Sequence, residues 1–593
     1  MDFAAVVHRS QDTFCYPLDQ ERCLITLRTG KEVKQAVLNW EDPMESEYEH
    51  PVWIWHGEDK EADDVVECTN YLLWKFVVKP PFKRLGYLFK IFDGEQWFCF
   101  LENGFFKPED EIFSGGRFMF FSFPWMNESD LIQTPQWVGD TRWYQIFPER
   151  FRKGNDTLSK GELKEWQSGP VTNEEHYGGD LKGITEKLPY IRDLGFNGLY
   201  LTPIFEAEST HKYDTKDYRK IDPAFGTLED FKELTEKAHQ LGIRVMLDGV
   251  FNHSGVLFAP WQDVLKKGPE SEFFDWFMIN QWPFDWSVPS TRDGKYYSFS
   301  FAWQMPKLNT NNPAVVEYFT EVCEYWMEQG VDGLRLDVAH EVAHSFLKKL
   351  RIRLKQKNPQ FYILGEIWQD SIKWLRGDEL DAVMNYPFRF TVMRFWDKKE
   401  MTNQEFARAI QECSNLYPLQ VSRCAFNLLD SHDTQRLYSM HQNLDIFYQQ
   451  LLLLYTMPGC TCSFYGTEIA MEGENDPDCR RCMPWERIET GEFQETIESF
   501  RRIVKFREKE PLTRADGIRF LVQENLPKRV LCYQRFHQFD GTEDASVLEV
   551  WINASDQSIS LPEGKRVLTR KTDETKLYPG GFCAIRREEK KER

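Results

Sequence analysis

The sequence predicts a (β/α)₈ barrel with an N-terminal β-sandwich, an inserted loop domain after the third barrel strand, and a C-terminal β domain. Eight apolar, strand-like runs alternate with helical patterns across residues 138–511. A stretch rich in Trp, Phe, Pro and Asp, residues 254–306, interrupts this alternation after the third run. Strand-like runs separated by turn residues fill residues 1–125 and 512–593, and the polar segment 126–137 is typical of a linker.

The N-terminal region has the pattern of a β-sandwich. Strand-like runs occur at Cys23–Arg28, Tyr87–Phe92 and Trp97–Phe100, and turn residues such as Asp93 and Gly94 separate them. Because no helical period is visible, we expect two packed sheets of about 100 residues here.

The barrel strands follow from short apolar runs. They are predicted at Trp143–Phe147, Asn197–Leu201, Arg244–Val250, Leu334–Val338, Tyr362–Leu364, Ala382–Met384, Phe426–Leu429 and Thr461–Tyr465. Helix signals lie between them. Gly195 ends a helix over Leu181–Leu194, Thr227 and Asp230 form a capping box, and Asn312-Pro313 begins another helix. In the C-terminal domain, strands are predicted at Val530–Arg535, Ser546–Trp551 and Phe582–Ile585.

Composition excludes some classes of partner. The chain has 593 residues and a formal net charge of −21, which disfavours nucleic acid and anionic membrane surfaces as partners. Its apolar runs, such as Leu451–Tyr455, are too short to span a bilayer, and Met1–Pro17 does not resemble a secretory signal. The 13 cysteines are scattered, so we expect free thiols and a cytoplasmic location.

Three carboxylates follow barrel strands, where barrel enzymes carry their catalytic groups. Arg335 and Asp337 end the fourth strand two residues apart, so both side chains point to one side and the guanidinium should lower the pKa of Asp337. Glu366 follows the fifth strand, where neighbouring carboxylates should raise its pKa and make it a general acid. Asp433 follows the seventh strand, beside His432.

Each of these residues has a structural explanation when taken alone. Asp337 is a natural ion-pair partner of Arg335, Glu366 suits a solvated loop, and a single His is most often a satisfied polar residue. Three carboxylates at the ends of strands of one barrel are harder to explain this way, because like charges destabilise a fold.

The motifs at these strand ends resemble those of the α-amylase family of glycoside hydrolases, in its neopullulanase, cyclomaltodextrinase and maltogenic amylase group. The resemblance covers nearly the whole chain. The strings that carry it are DGVFNH (248–253), MPKLN (305–309), GLRLDVAHE (333–341), GEIW (365–368) and LLDSHDT (428–434), supported by YQIFPERF (144–151), YGGDL (177–181), LTPIFEA (201–207) and HKYDT (211–215).

The resemblance implies roles for nine residues. Asp337 is the implied nucleophile, Glu366 the acid and then the base, and Asp433 the residue that holds the distorted sugar ring. The implied substrate contacts are His253, Arg335, His432, Tyr213 as a stacking platform, and the pair Asp476 and Arg480.

The implied reaction is retaining hydrolysis of cyclodextrins, maltooligosaccharides and pullulan, at α-1,4 and in some cases α-1,6 bonds, with transglycosylation as a side activity. The N-terminal domain resembles a starch-binding or dimerisation module, which implies a homodimer. Two alternatives stay open: an α-1,6-glucosidase or glucosyltransferase on the same fold, and a non-catalytic barrel that only binds carbohydrate.

Two positions depart from the family pattern. His340 stands where this group usually has Asn, which bears on bond preference and transfer. The family's calcium loop is Asn- and Asp-rich, but here Lys153 occupies a ligand position, although Gly178 and Asp180 match the other half of the site. We therefore expect no required cofactor, and a calcium ion that is absent or weakly bound.

Overall fold

The computed structural model describes residues 1–44, 48–49, 52–53, 55–110, 119–158, 162–167, 169–285, 289–397, 401–521 and 526–588. The chain forms two compact units. The first contains residues 1–133 with the short segments 375–377 and 404–422, and the second contains the remainder.

The first unit is built on a β-sandwich. Its strands are β1 (Cys15–Pro17), β2 (Cys23–Thr29), β3 (Gln35–Glu41), β4 (Tyr48–Glu49), β5 (Val52–Trp53), β6 (Glu58–Glu61), β7 (Asp64–Glu67), β8 (Leu72–Val78), β9 (Leu85–Phe92), β10 (Trp97–Leu101), β11 (Gly104–Phe106) and β12 (Phe121–Phe123). Two antiparallel sheets, β1-β2-β8-β7 and β11-β10-β9-β3-β6 with β12 on β9, enclose a core that includes Ile25, Phe76 and Phe89. The predicted sandwich is confirmed.

The second unit contains the parallel barrel. Its strands are β13 (Arg142–Ile146), β14 (Gly198–Leu201), β15 (Phe205–Ala207), β16 (Thr215–Ile221), β17 (Arg244–Gly249), β18 (Gly333–Leu336), β19 (Tyr362–Gly365), β20 (Ala382–Val383), β21 (Phe426–Asn427) and β22 (Cys460–Phe464). Eight of them pair in the order β20-β19-β18-β17-β14-β13-β22-β21, and β15 pairs with β16 as a separate hairpin. A bridge between Met384 and Phe426 joins the two edges of the eight-stranded sheet, so the barrel is nearly closed.

Helices follow the barrel strands along the chain, and residues 404–422 among them belong to the first unit. They are α1 (Pro148–Phe151), α2 (Leu181–Leu194), α3 (Leu228–Gln240), α4 (Ala259–Lys267), α5 (Pro313–Glu328), α6 (His344–Lys357), α7 (Tyr386–Asp397), α8 (Asn403–Ser414), α9 (Leu419–Ser422), α10 (Leu444–Thr456), α11 (Trp485–Glu489) and α12 (Gln494–Lys509). The start and stop signals work as predicted. Asp230 and Thr227 cap α3 reciprocally, Asn312 caps α5, and Gly195 ends α2 in the left-handed conformation.

One barrel unit departs from the predicted strand–helix alternation. Between β19 and β20 the described chain contains only a 3₁₀ turn, Ile372–Trp374, in place of an α-helix. The connection is short and contains Gly377 with a positive φ of 98°, so there is little room for a longer helix.

The C-terminal domain is an antiparallel sheet. Its strands are β23 (Gly517–Phe520), β24 (Val530–Phe536), β25 (Ser546–Asn553), β26 (Ile559–Ser560), β27 (Lys565–Thr572) and β28 (Lys576–Glu588), in the order β23-β24-β25-β28-β26 with β27 on β28. Its core includes Trp551 and Ile585.

Among the helices of the described chain, none combines the length and apolar character needed to cross a lipid bilayer.

Candidate active site

A cavity of about 450 Å³ lies at the carboxyl ends of the barrel strands. It is lined by Asn173, His211, Tyr213, His253, Phe299, Met305, Asp337, Val338, His340, Glu341, Glu366, Trp368, Asp433, Asp476 and Arg480. Seven of the nine residues singled out from the sequence are in this lining. The other two, Arg335 and His432, are fully buried and contact lining residues.

Arg335 is the cation around which the site is built. Its Nη1 lies 2.7 Å from Asp337 Oδ1 and 2.8 Å from Asp248 Oδ1, and its Nη2 lies 3.1 Å from Glu366 Oε2. Sequence analysis did not single out Asp248. The available signal was its place at the end of β17, where the strand register sets it beside Arg335.

The charges in this cluster correct one expectation. Arg335 was expected to lower the pKa of Asp337, but burial raises the pKa of Asp337 well above its ordinary value, and the charge of Glu366 adds to this while Arg335 opposes it. Burial also raises the pKa of Asp248. The reason is that one guanidinium is shared among three carboxylates and cannot compensate fully for the loss of water around Asp337 and Asp248.

Burial therefore disfavours the ionised forms of Asp337 and Asp248, whose pKa values are both raised. If all three carboxylates were ionised, the buried group would carry a net charge of about −2, which is costly in a low-dielectric site. Such groups titrate as a unit. In a group of this kind a protonated carboxyl can donate a proton, and an ionised carboxylate can attack an electrophilic carbon.

Glu366 is held by two donors that the sequence did not reveal. Trp368 Nε1 donates to Oε1 at 2.9 Å, and the backbone N–H of Val338 donates to Oε2 at 3.0 Å. Trp368 in turn stacks on Tyr386, with ring centroids 3.8 Å apart. Val338 has a φ of 46°, which is a strained conformation for a β-branched residue.

Tyr213 and His432 form a hydrogen-bonded chain beneath the cavity. Their rings are nearly parallel, and Tyr213 Oη lies 2.5 Å from His432 Nε2 and 3.1 Å from Asp248 Oδ2. Burial and the charge of Arg480 hold the pKa of His432 well below its ordinary value, so the imidazole is neutral. Gln145 Nε2 lies 2.7 Å from His432 Nδ1, so an amide N–H donated there would place the ring proton on Nε2.

Asp433 is oriented by contacts of its two oxygens with Arg480 and His432. Arg480 Nη2 lies 3.3 Å from Asp433 Oδ1, and its Nη1 lies 2.8 Å from Asp476 Oδ1. His432 Nε2 lies 3.2 Å from the second Asp433 oxygen. The structure therefore brings together the pair Asp476 and Arg480 with the third carboxylate.

His253 offers an unused hydrogen-bonding atom. The residue is 1% exposed, and its Nε2 has no hydrogen-bond partner in the described part of the chain. Its ring stacks on Phe299 of the inserted segment, with centroids 5.0 Å apart. Because an unpaired buried polar atom is costly, this nitrogen is well suited to bind a hydroxyl group in the cavity.

In the loop that corresponds to the family's calcium site, backbone N–H groups occupy both oxygens of Asp180. Asp180 Oδ1 accepts the N–H of Gly183, while Oδ2 accepts those of Gly154 and Asn155, at 2.7–3.0 Å. Lys153 extends its ammonium to Asp156, 3.1 Å away. Within the described residues of this loop, backbone donors hold the oxygens that a cation would need.

Comparison with known proteins matches most of the chain to the α-amylase family, which the sequence motifs resemble. Residues 145–510 match the family described as "Alpha amylase, catalytic domain", and residues 1–127 match "Alpha amylase, N-terminal ig-like domain". The chain is 40% identical over 562 residues to the cyclomaltodextrinase of Geobacillus thermopakistaniensis (strain MAS1), covering 94% of this chain and 92% of that protein. It is 38% identical over 516 residues to neopullulanase 2 of Thermoactinomyces vulgaris, covering 85% and 84%. A solved cyclomaltodextrinase structure matches with a TM-score of 0.88 at 33% identity, covering 99% of this chain and 100% of that one.

The buried state of His253 predicts a pH dependence of stability. Burial lowers its pKa to about 3, whereas an unfolded histidine titrates near 6.5. Between these values the unfolded chain binds a proton that the folded chain does not, so the free energy of unfolding falls as pH falls. This group alone contributes about 1.4 kcal/mol per pH unit.

We expect His253→Asn to reduce that slope between pH 6 and pH 4, as measured by urea unfolding. His340→Asn is the matched control, because His340 is exposed on the same cavity. Equal slopes in the two variants would contradict the assignment of a neutral, buried His253.

Proposed function

The chain belongs to the α-amylase family of glycoside hydrolases, and we propose that it is a retaining hydrolase of cyclodextrins, maltooligosaccharides and pullulan. The proposed mechanism depends on which of the carboxylates around Arg335 reach the cavity. Asp337 and Glu366, 7% and 8% exposed, line the cavity, whereas Asp248 is 1% exposed and does not. Two carboxylates can therefore touch a substrate while the third orients the cation.

In this proposal Asp337 is the nucleophile and Glu366 the acid. Asp337 attacks the anomeric carbon as Glu366 gives its proton to the departing glycosidic oxygen, which leaves a covalent glucosyl ester on Asp337. Glu366 then removes a proton from water, the water oxygen bonds to the anomeric carbon, and the ester bond breaks. A second sugar in place of water gives transglycosylation.

The remaining residues serve binding. Asp433 accepts hydrogen bonds from the hydroxyl groups of the distorted sugar ring, and His253 Nε2 forms a hydrogen bond to the same sugar. Tyr213 gives the ring a stacking face, supported by its contacts to His432 and Asp248. Asp476 and Arg480 extend the polar contacts. We propose that no cofactor is required and that calcium is absent or weakly bound, because backbone donors occupy the oxygens of Asp180.

Substitution of the two carboxylates separates their roles. Asp337→Asn should lower kcat by at least about 10³-fold on every substrate, because an amide cannot form the ester. Glu366→Gln should lower kcat on maltooligosaccharides by about 10²–10⁴-fold. With α-maltosyl fluoride, whose leaving group needs no proton, this variant should keep the first step and lose the base of the second, so a fast burst of fluoride should precede slow turnover. Glu236→Gln, on the exposed face of α3, is the control. Unchanged sugar release from Asp337→Asn would refute the nucleophile and favour a barrel that only binds carbohydrate.

The substrate preference is tested by initial rates on β-cyclodextrin, pullulan, panose and starch. We expect cyclodextrin to be hydrolysed faster than starch, in keeping with the names of the cyclomaltodextrinase and neopullulanase relatives. Much faster hydrolysis of starch would contradict this choice, and preference for the α-1,6 bond of panose would favour the α-1,6-glucosidase alternative. Panose, maltose or isopanose from pullulan report which bonds are cut, and His340→Asn tests whether this lining residue sets that choice.

We also propose that the protein is cytoplasmic and forms a homodimer through its N-terminal domain. The buried thiols of the chain suit a reducing compartment. Phe82, Trp97 and Trp125 of the first unit are 47%, 37% and 48% exposed, and exposed aromatic residues are typical of interfaces. Sedimentation equilibrium should give twice the 70.4 kDa chain mass, and Trp125→Asp should shift the mass toward the monomer. A 70.4 kDa species at all concentrations would overturn the dimer.

A further inference from the structure

A second groove, larger than the catalytic cavity, lies within the second unit. Its volume is about 670 Å³, and α12 and the C-terminal strands β27 and β28 form its walls. It lies at the end of the barrel opposite the carboxylates. Asp193 of its lining is in the last turn of α2, and Arg142, the first residue of β13, reaches Glu508 of α12 at 3.7 Å.

The groove is basic in a strongly acidic protein. Six cations line it, namely Arg501, Arg502, Lys505, Lys509, Lys565 and Arg586, against the carboxylates Asp193, Glu498 and Glu510. The lining therefore has a surplus of three positive charges, although the chain as a whole carries a formal charge of −21.

The surplus is concentrated in three side chains. Arg501 and Lys505 pair with Asp193 at 2.9 and 3.4 Å, and Arg586 approaches Glu510 at 3.4 Å. Arg502, Lys509 and Lys565 are exposed and make no ion pair with any residue that the structure describes. Three cations without internal counter-ions facing one concave surface create a positive potential that attracts anions.

Helix electrostatics explain only part of this arrangement. Cations in the last turn of a helix are favoured by its dipole, which accounts for Lys509 on α12. Lys565 and Arg586 come from β27 and β28 and have no such reason to face the same groove. Convergence of cations from two domains on one concavity is the pattern of a binding site.

The groove also offers apolar surface. Phe506 and Leu568, each 7% exposed, and Val567 are part of its lining. Its volume is within the range of small-molecule sites, about 300–1,000 Å³. The unpaired cations can bind a multiply charged anion, and the apolar residues can contact an organic group attached to that anion.

We propose that this groove binds a small molecule that carries two or more phosphate groups. Lys509, Lys565 and Arg502 pair with the phosphate oxygens, and Phe506 and Leu568 contact the organic part. Because the groove and the catalytic cavity lie at opposite ends of the barrel, such a ligand stabilises the barrel and the C-terminal domain together and does not compete with the sugar.

The test is calorimetric titration of the full chain with fructose 1,6-bisphosphate, inorganic pyrophosphate and, at matched ionic strength, sodium sulfate. We expect submillimolar binding of the bisphosphate and at least tenfold weaker binding of sulfate. Lys509→Ala/Lys565→Ala should weaken bisphosphate binding at least tenfold, whereas Lys232→Ala/Lys349→Ala, which removes the same charge from exposed helix faces, should not.

Each outcome decides a point. If pyrophosphate binds as tightly as the bisphosphate, the groove is a phosphate site whose ligand needs no organic part. Equal loss in both double variants would show non-specific attraction and overturn the site, as would absence of binding by any probe. KM for β-cyclodextrin should be unchanged by the bisphosphate, and a rise in KM with unchanged kcat would contradict the separation of the two sites.

Discussion

The active site depends on one buried guanidinium. Arg335 is completely enclosed and holds carboxylates from the ends of three consecutive barrel strands: Asp248 near the end of β17, Asp337 after β18 and Glu366 after β19. Burial alone would lower its pKa, but the charges of Asp248 and Glu366 outweigh burial and raise it well above the ordinary value. The cation is therefore permanent, and its removal would leave buried like charges unpaired.

The parallel barrel makes this arrangement possible. Neighbouring parallel strands end at the same edge, so groups distant in sequence meet without long loops. The second ring of contacts fixes rotamers: Tyr200 and Tyr213 hydroxyls reach Asp248, and Trp368 reaches Glu366. The inserted segment adds a wall through Phe299, and Lys307 binds Glu341 at 2.8 Å to attach that wall to the loop after β18.

Much of the fold could be read from local signals. Alternating apolar runs gave the strands, and Asn312, Thr227 and Gly195 marked helix ends, because caps and left-handed turns require particular residues. The two-residue spacing of Arg335 and Asp337 predicted that their side chains would be in contact. Asp248 was missed because its contact with Arg335 depends on the register between β17 and β18, which the sequence of one strand does not determine. The rise in the pKa of Asp337 was missed because burial depends on the packed surroundings of the site.

The conformation of Val338 connects catalysis with the tolerance of this enzyme to change. A β-branched residue with a φ of 46° is a natural target for anyone who seeks thermostability by relieving backbone strain, and glycine would relieve it. Yet this peptide N–H binds Glu366, and the side chain forms part of the cavity wall. A freer backbone would loosen Glu366, the proposed general acid, so a gain in heat resistance at this position would come with slower turnover. Stabilising substitutions are better sought away from the loop after β18.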